Sequence, residues 1–306
     1  MVSRSVRVGD IISHVSLRAL LGRVALRIQR ESQVGGPFMH KGRTCAYCGA
    51  GTELTKEHVF PDCFQKTFEP ITPTKTPTGE KAILSALEIH DVCARCNNES
   101  LSRLDAYLCE LNDMYFSKIA HAGDRIRFQY DFDLLLRVLL KIGYNVARAR
   151  KWPPGHWQDA TQYILGNAPC PAGFHIFLQL MIPTPAEKTN RPLSPGTTEV
   201  PPWPMSVYPI DVSNFPGLVS GSWVSVWSYR FFLLREDVQA PRSVRQRTLA
   251  KCLKNTTGAY ELTRRGVTTS YASSVEVLDA IKNSPIFDEQ LSQARKLKSD
   301  TELKRS

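Results

Sequence analysis

Four cysteines fall in two closely spaced pairs, Cys45-Ala46-Tyr47-Cys48 and Cys93-Ala94-Arg95-Cys96, with Glu57-His58-Val59-Phe60-Pro61 between them. A CxxC turn lets both thiolates reach one ion. Two such turns complete a tetrahedral four-sulfur site that binds Zn²⁺ and leaves no open position for chemistry. The pattern therefore predicts a structural zinc site at Cys45, Cys48, Cys93 and Cys96. The same stretch offers a candidate general base, His58, and two hard oxygen donors, Glu57 and Asn97, the latter directly after the second pair. A neutral imidazole can take a proton from water near pH 7. Carboxylate and amide oxygens suit Mg²⁺ or Mn²⁺.

These side chains need elements to position them. Forty-four residues separate the two pairs, more than a compact zinc ribbon requires, so something folded must lie between them. Residues 53–60 read as a strand ending at Pro61, and residues 82–92 as a returning strand that delivers Cys93. Leu101, Leu104, Leu108, Leu111 and Tyr115 follow helical spacing, which predicts one helix from about residue 97 to 119. Asn97 lies four residues before Leu101 and shares its inward stripe, so it should face the hairpin that carries Glu57 and His58.

In this order, CxxC, EHVFP and CxxCNN followed by a leucine-bearing helix with Leu104-Asp105 resemble the HNH (His-Asn-His) endonuclease family. The resemblance covers residues 43–115. It implies a ββα-metal fold and hydrolysis of DNA phosphodiester bonds. It also implies His58 as the general base, Glu57 and Asn97 as ligands of one catalytic Mg²⁺ or Mn²⁺, and the four cysteines as the zinc ligands. The family's middle asparagine, nine residues before the third motif position, is here Glu88. Either the returning strand shifts register or another group holds His58. Loss of that asparagine gives the alternative its best support: a catalytically inactive zinc-stapled module for nucleic-acid binding or interaction. Asp105 is placed to support the metal from behind its ligands, and Asn98 to cap or solvate the helix.

The rest of the chain is less specific. Residues 131–150 read as a second, largely buried helix ending at Trp152-Pro153-Pro154. Residues 173–182 and 223–234 read as buried strands, and the eight prolines between Pro183 and Pro209 as a long irregular segment. A basic helical stretch follows, with Arg242, Arg245, Arg247, Lys251 and Lys254 as candidate phosphate contacts. Cys63, Cys109, Cys170 and Cys252 are scattered and read as small buried apolar side chains.

The expected class is α+β. Residues 1–40 form a basic extension, 41–120 the zinc-stapled HNH nuclease module, 121–290 an accessory α+β domain, and 291–306 a charged tail. The net charge of +10 is concentrated at the two ends, +6 over residues 1–50 and +3 over 291–306, so the body is nearly neutral. The arginine-rich residues 1–32 suit an inert extension, an organelle-targeting segment or an arm on DNA. DNA is the expected partner, and no apolar run is long enough for a membrane span. The CxxC pairs point to a reducing, cytoplasmic setting. No Walker loop, GxGxxG fingerprint or GxSxG elbow is present.

Overall fold

A computed structural model describes residues 44–67, 88–152, 155–188, 198–202, 205–210, 212–213, 215–254, 256 and 258–272. The basic extension, the charged tail and the first half of the expected returning strand lie outside the described residues.

Strands β1 (Leu54–His58) and β2 (Glu88–Cys93) form an antiparallel pair, with the short helix α1 (Asp62–Thr67) following β1. Partners run Leu54 with Cys93 and Thr55 with Val92, then Glu57 with Ile89 and His58 with Glu88. Between Thr55 and Glu57 the partner strand advances by three residues instead of two. The extra residue is a bulge on β2. It lets Ile89 and Val92, three apart, both turn inward to the core.

The chain then enters one long helical run. Its centre is α2 (Ser102–Leu111), with π-helical turns at Cys96–Leu101 before it and Asn112–Phe116 after it. Leu101, Leu104, Leu108 and Leu111 form its buried stripe.

Strand β3 (Arg125–Gln129) leads to α3 (Phe132–Ala149), whose N-terminus is capped by the Asp131 side chain accepting from the Leu134 N–H. Helix α3 is the hub of the fold. It touches β2 and α2 on one side and strands of the large sheet on the other. Short helices α4 (Gly155–Asp159) and α5 (Thr161–Ile164) pack beside it. The Trp157 indole lies so close to Gly143 that a Cβ there would clash with its Nε1.

The large sheet comprises β4 (Phe174–Leu180), β7 (Ser206–Ile210), β8 (Leu218–Val226), β9 (Tyr229–Glu236) and β10 (Tyr260–Glu261). Its order is β10-β4-β9-β8-β7, antiparallel throughout. Strands β5 (Thr184–Pro185) and β6 (Glu199–Val200) form a small separate pair, and β11 (Val267–Tyr271) pairs with β3. Alternation sorts the large sheet's side chains. Ile176, Leu178 and Leu180 join the main core, while Phe177 faces a smaller cluster under helix α6 (Arg242–Lys254). The main core runs without interruption from Cys45 to Ala272 and includes Phe116 and Phe128, in ring contact with each other and each with Tyr229 and Phe231.

Three sequence expectations need correction. Residues 223–234 are not one strand but parts of β8 and β9, joined at Trp227-Ser228. No glycine, asparagine or proline marks this turn; Trp227 itself adopts positive φ. Ser228 is held from outside, its Oγ accepting from the Ala120 N–H and its carbonyl from the Met181 N–H. The proline-rich segment yields an ordered strand, β7, with Pro209 inside it. Strand β7 lies at the sheet edge, where one missing N–H costs no ladder bond. Finally, Cys63 of α1 and Cys109 of α2 are joined by a disulfide, a pairing their separation of 46 residues did not reveal. A disulfide is at odds with the reducing setting inferred from the CxxC pairs.

Candidate metal centre and the polar cluster beside it

Cys45, Cys48, Cys93 and Cys96 bring their sulfur atoms within 4.8 Å of one another, a cluster that could hold a metal such as zinc. Cys48 Sγ and Cys93 Sγ are 3.7 Å apart. Tetrahedral Zn–S bonds of about 2.3 Å demand a separation of about 3.8 Å, so the donor set fits that ion. The first CxxC is closed by Gly49 N–H donating to the Cys45 carbonyl and is tied to β2 by Ala46 N–H donating to the Asp91 carbonyl. Burial opposes ionisation of Cys45. Backbone N–H groups of Cys93, Cys48 and Tyr47 aimed at it prevail and bring its thiol down to about 7. Burial pushes the Cys48 and Cys96 thiols up. Several thiolates therefore need a cation among them to coexist.

Asn97 lies in the first π-helical turn, directly after Cys96, and bridges back to β1. Its Nδ2 donates to Thr55 Oγ1 at 3.0 Å and to the Lys56 carbonyl at 2.7 Å. Both amide hydrogens are thus engaged, and Oδ1 has no hydrogen-bond partner among the described residues. Glu57, one residue further along β1, is only 2% exposed. Its Oε1 accepts from Lys141 Nζ at 2.6 Å and from Asn145 Nδ2 at 3.2 Å. Lys141 Nζ also donates to Asp105 Oδ1 at 2.5 Å. Burial pushes the Asp105 carboxyl up, and the Lys141 ammonium pulls in the opposite direction. His58, half-buried, ends β1, and its carbonyl accepts from Asn145 Nδ2 at 3.3 Å.

Lys141, Asn145 and Arg148 project from one face of α3, at the four- and three-residue steps that align side chains on a helix. The fully buried Asn145 uses its whole amide. Oδ1 accepts from Tyr47 Oη and Arg148 Nη2, each at 2.6 Å, while Nδ2 donates to Glu57 and His58. Arg148 pairs with Asp91 at 2.7 Å and stacks over Tyr47 and Tyr144. Helix α3 thereby fixes both strands of the hairpin, although it lies beyond residue 120. The apolar periodicity that predicts α3 carries no sign of this trio's role. The available signal was three polar residues on one face of an otherwise apolar segment.

Glu88, opposite His58, pairs with Lys56 at 3.2 Å. That hydrogen bond holds its carboxyl below the usual range, with smaller help from His58 and His90. Asn98 does not cap through its side chain; its carbonyl accepts from Ser102 Oγ.

The basic residues of α6 lie elsewhere, over the outer face of the large sheet. Arg242, Arg247, Lys251 and Lys254 are exposed, whereas Arg245 is half-buried and pairs with Glu236 at 2.5 Å. No helix among the described residues is long and apolar enough to cross a membrane. The chain matches no known protein-family model, no curated protein and no solved structure.

Proposed function

We propose that this chain is a metal-dependent endonuclease of the HNH type, hydrolysing DNA phosphodiester bonds from a ββα-metal site on the zinc-stapled hairpin and helix. The observation that carries this reading is the Asn97 bridge. An amide in the first turns of the helical run ties both its hydrogens to β1 and keeps an oxygen for a ligand, next to the strand that ends in His58.

In this assignment His58 takes the proton of the attacking water. Asn97 Oδ1 and the Glu57 carboxylate would hold one Mg²⁺ or Mn²⁺, whose charge would offset the negative charge that builds on the phosphoryl oxygens. Both hydrogen bonds accepted by Glu57 end on Oε1, which leaves Oε2 as its ligand atom. Glu57 and Asp105 carry two negative charges against the one positive charge of Lys141, so the cluster still favours a cation. Asn145 holds the His58 carbonyl and so steadies the end of β1, opposite Glu88 of β2, which stands where the family has its middle asparagine. Arg242, Arg247, Lys251 and Lys254 are offered as phosphate contacts.

One observation favours a second reading, a catalytically inactive zinc-stapled nucleic-acid-binding or interaction module. Glu57 is withdrawn from solvent and already has a cation, the Lys141 ammonium. A plasmid-nicking assay with and without Mg²⁺ or Mn²⁺ separates the two readings.

A further inference from the structure

Strands β3 and β11 form a two-stranded ribbon paired at all five positions, Arg125 with Tyr271 through to Gln129 with Val267. Paired residues share a face, so the ribbon has two distinct sides. The inner side is anchored by Ile126 and Phe128, the latter fully buried against Tyr115, Phe116, Tyr229 and Phe231. The outer side presents Arg125, Arg127, Gln129, Thr269 and one apolar side chain, Val267, all exposed. Arg265, exposed, sits in the chain just before β11.

Arg125, Arg127 and Arg265 have no ion-pair partner among the described residues. The nearby acids are engaged or offset: Asp124 accepts from the His121 N–H, and Asp133 accepts from Tyr163 and faces Arg264 at 3.9 Å. An exposed face with unpaired arginines and no acid of its own suits a polyanion better than an apolar or mixed protein surface.

The dimensions select among polyanions. Alternate residues on a strand are about 6.8 Å apart, enough for Arg125 and Arg127 to reach separate backbone phosphates. A two-stranded ribbon fits a B-form major groove about 12 Å wide. The ribbon is also fixed to the helix that carries Asn97. Tyr115 Oη accepts from the Gln129 N–H, and Tyr107 Oη accepts from the Asp131 N–H. From Asn97 to Tyr115 that helical run spans roughly 25 Å.

We propose that the outer face of the β3–β11 ribbon is a duplex-DNA contact surface. Arg125 and Arg127 meet backbone phosphates at the major groove, and Gln129 offers its amide to base edges. This deepens the nuclease reading and rests on its choice of DNA as substrate. The long helix then acts as a rigid spacer between the contacted groove and the site at its other end.

The test is fluorescence anisotropy with the full chain carrying its zinc, without added Mg²⁺ or Mn²⁺, on a mixed-sequence DNA duplex of about 30 base pairs across a salt series. Wild type is expected to bind with a steep salt dependence. Arg125→Ala/Arg127→Ala, both at exposed positions, should melt at the wild-type temperature and bind at least about tenfold more weakly. Its slope of log affinity against log salt should be shallower by about 1.8, the loss of two phosphate contacts. Unchanged affinity and slope in that variant would overturn the proposal, as would no wild-type binding at low salt. Duplex RNA bound as tightly as DNA would also overturn it, because the A-form major groove is too narrow for a ribbon. The two assignments fail separately. Wild type that binds through the arginines yet cuts nothing leaves the ribbon standing without the nuclease. Wild type that nicks plasmid while the double variant binds unchanged does the reverse.

Discussion

Lys141 Nζ lies 2.6 Å from Glu57 Oε1, and the two side chains are 0% and 2% exposed. A helix of the C-terminal two-thirds therefore completes the charge balance of the hairpin that carries His58. Breaking a buried pair by removing one partner typically costs about 3–5 kcal/mol, because the other charge is left uncompensated. Here Lys141→Met keeps most of the side-chain volume and strands Glu57 and Asp105 together. Urea unfolding at pH 7 should show a loss in that range. A loss below about 1 kcal/mol would mean that the ammonium does not hold the cluster together.

The same variant should acquire a pH dependence of definite sign. Burial already raises the Asp105 carboxyl, and the Lys141 ammonium opposes that shift. Without Lys141 the folded-state value moves further above the unfolded one. A raised carboxylate contributes its stability fully below the unfolded value and loses it as pH rises through the folded value. Relative to wild type, Lys141→Met should therefore be least impaired near pH 4 and progressively more impaired toward neutrality. A deficit that is flat with pH would exclude Asp105 as its source.

Zinc removal should unfold more than the cysteine knuckles. Cys45, Cys93 and Cys96 are buried and belong to the same continuous core as α3 and the large sheet. Metal binding by such a site is linked directly to folding. Treatment with a strong chelator should lower the melting temperature of the whole chain and release one equivalent of zinc. Full-strength thermal unfolding with no metal bound would contradict the structural role.

Gly143 should be intolerant despite its place in the middle of a helix. Elsewhere, Gly→Ala in a helix interior gains roughly 1 kcal/mol. Here the added Cβ would clash with Trp157 Nε1, so the indole must move. Overpacking of this kind costs about 1–3 kcal/mol, enough to reverse the sign. A Gly143→Ala variant that melts above wild type would show that Trp157 relocates freely.

What the sequence disclosed followed from periodicity and local chemistry. The CxxC pairs, the leucine stripe of α2, the apolar stripe of α3 and the apolar run of β4 all act over a few residues. What it concealed depended on contacts distant in the chain. Trp227-Ser228 turns without turn residues because Ala120 and Met181 hold it. Cys63 finds Cys109 across 46 residues. The β2 bulge shows only as the odd spacing of Ile89 and Val92, and the Glu57–Lys141–Asp105 cluster joins three elements at once. Asn97 was expected to face the hairpin, and its bonds to Thr55 and Lys56 put it there. Glu57 was expected to be an open ligand and is instead half engaged by Lys141 and Asn145.

The most direct test of the catalytic assignment is nicking of supercoiled plasmid by wild type and by His58→Ala, each with Mg²⁺, with Mn²⁺ and with neither. General-base catalysis is worth about 10²–10⁴-fold. Wild type should nick only when a divalent ion is added, and His58→Ala should retain about 1% of that rate or less while keeping its zinc and its melting temperature. Wild type inactive with every divalent ion, or His58→Ala as active as wild type, would contradict the assignment of His58.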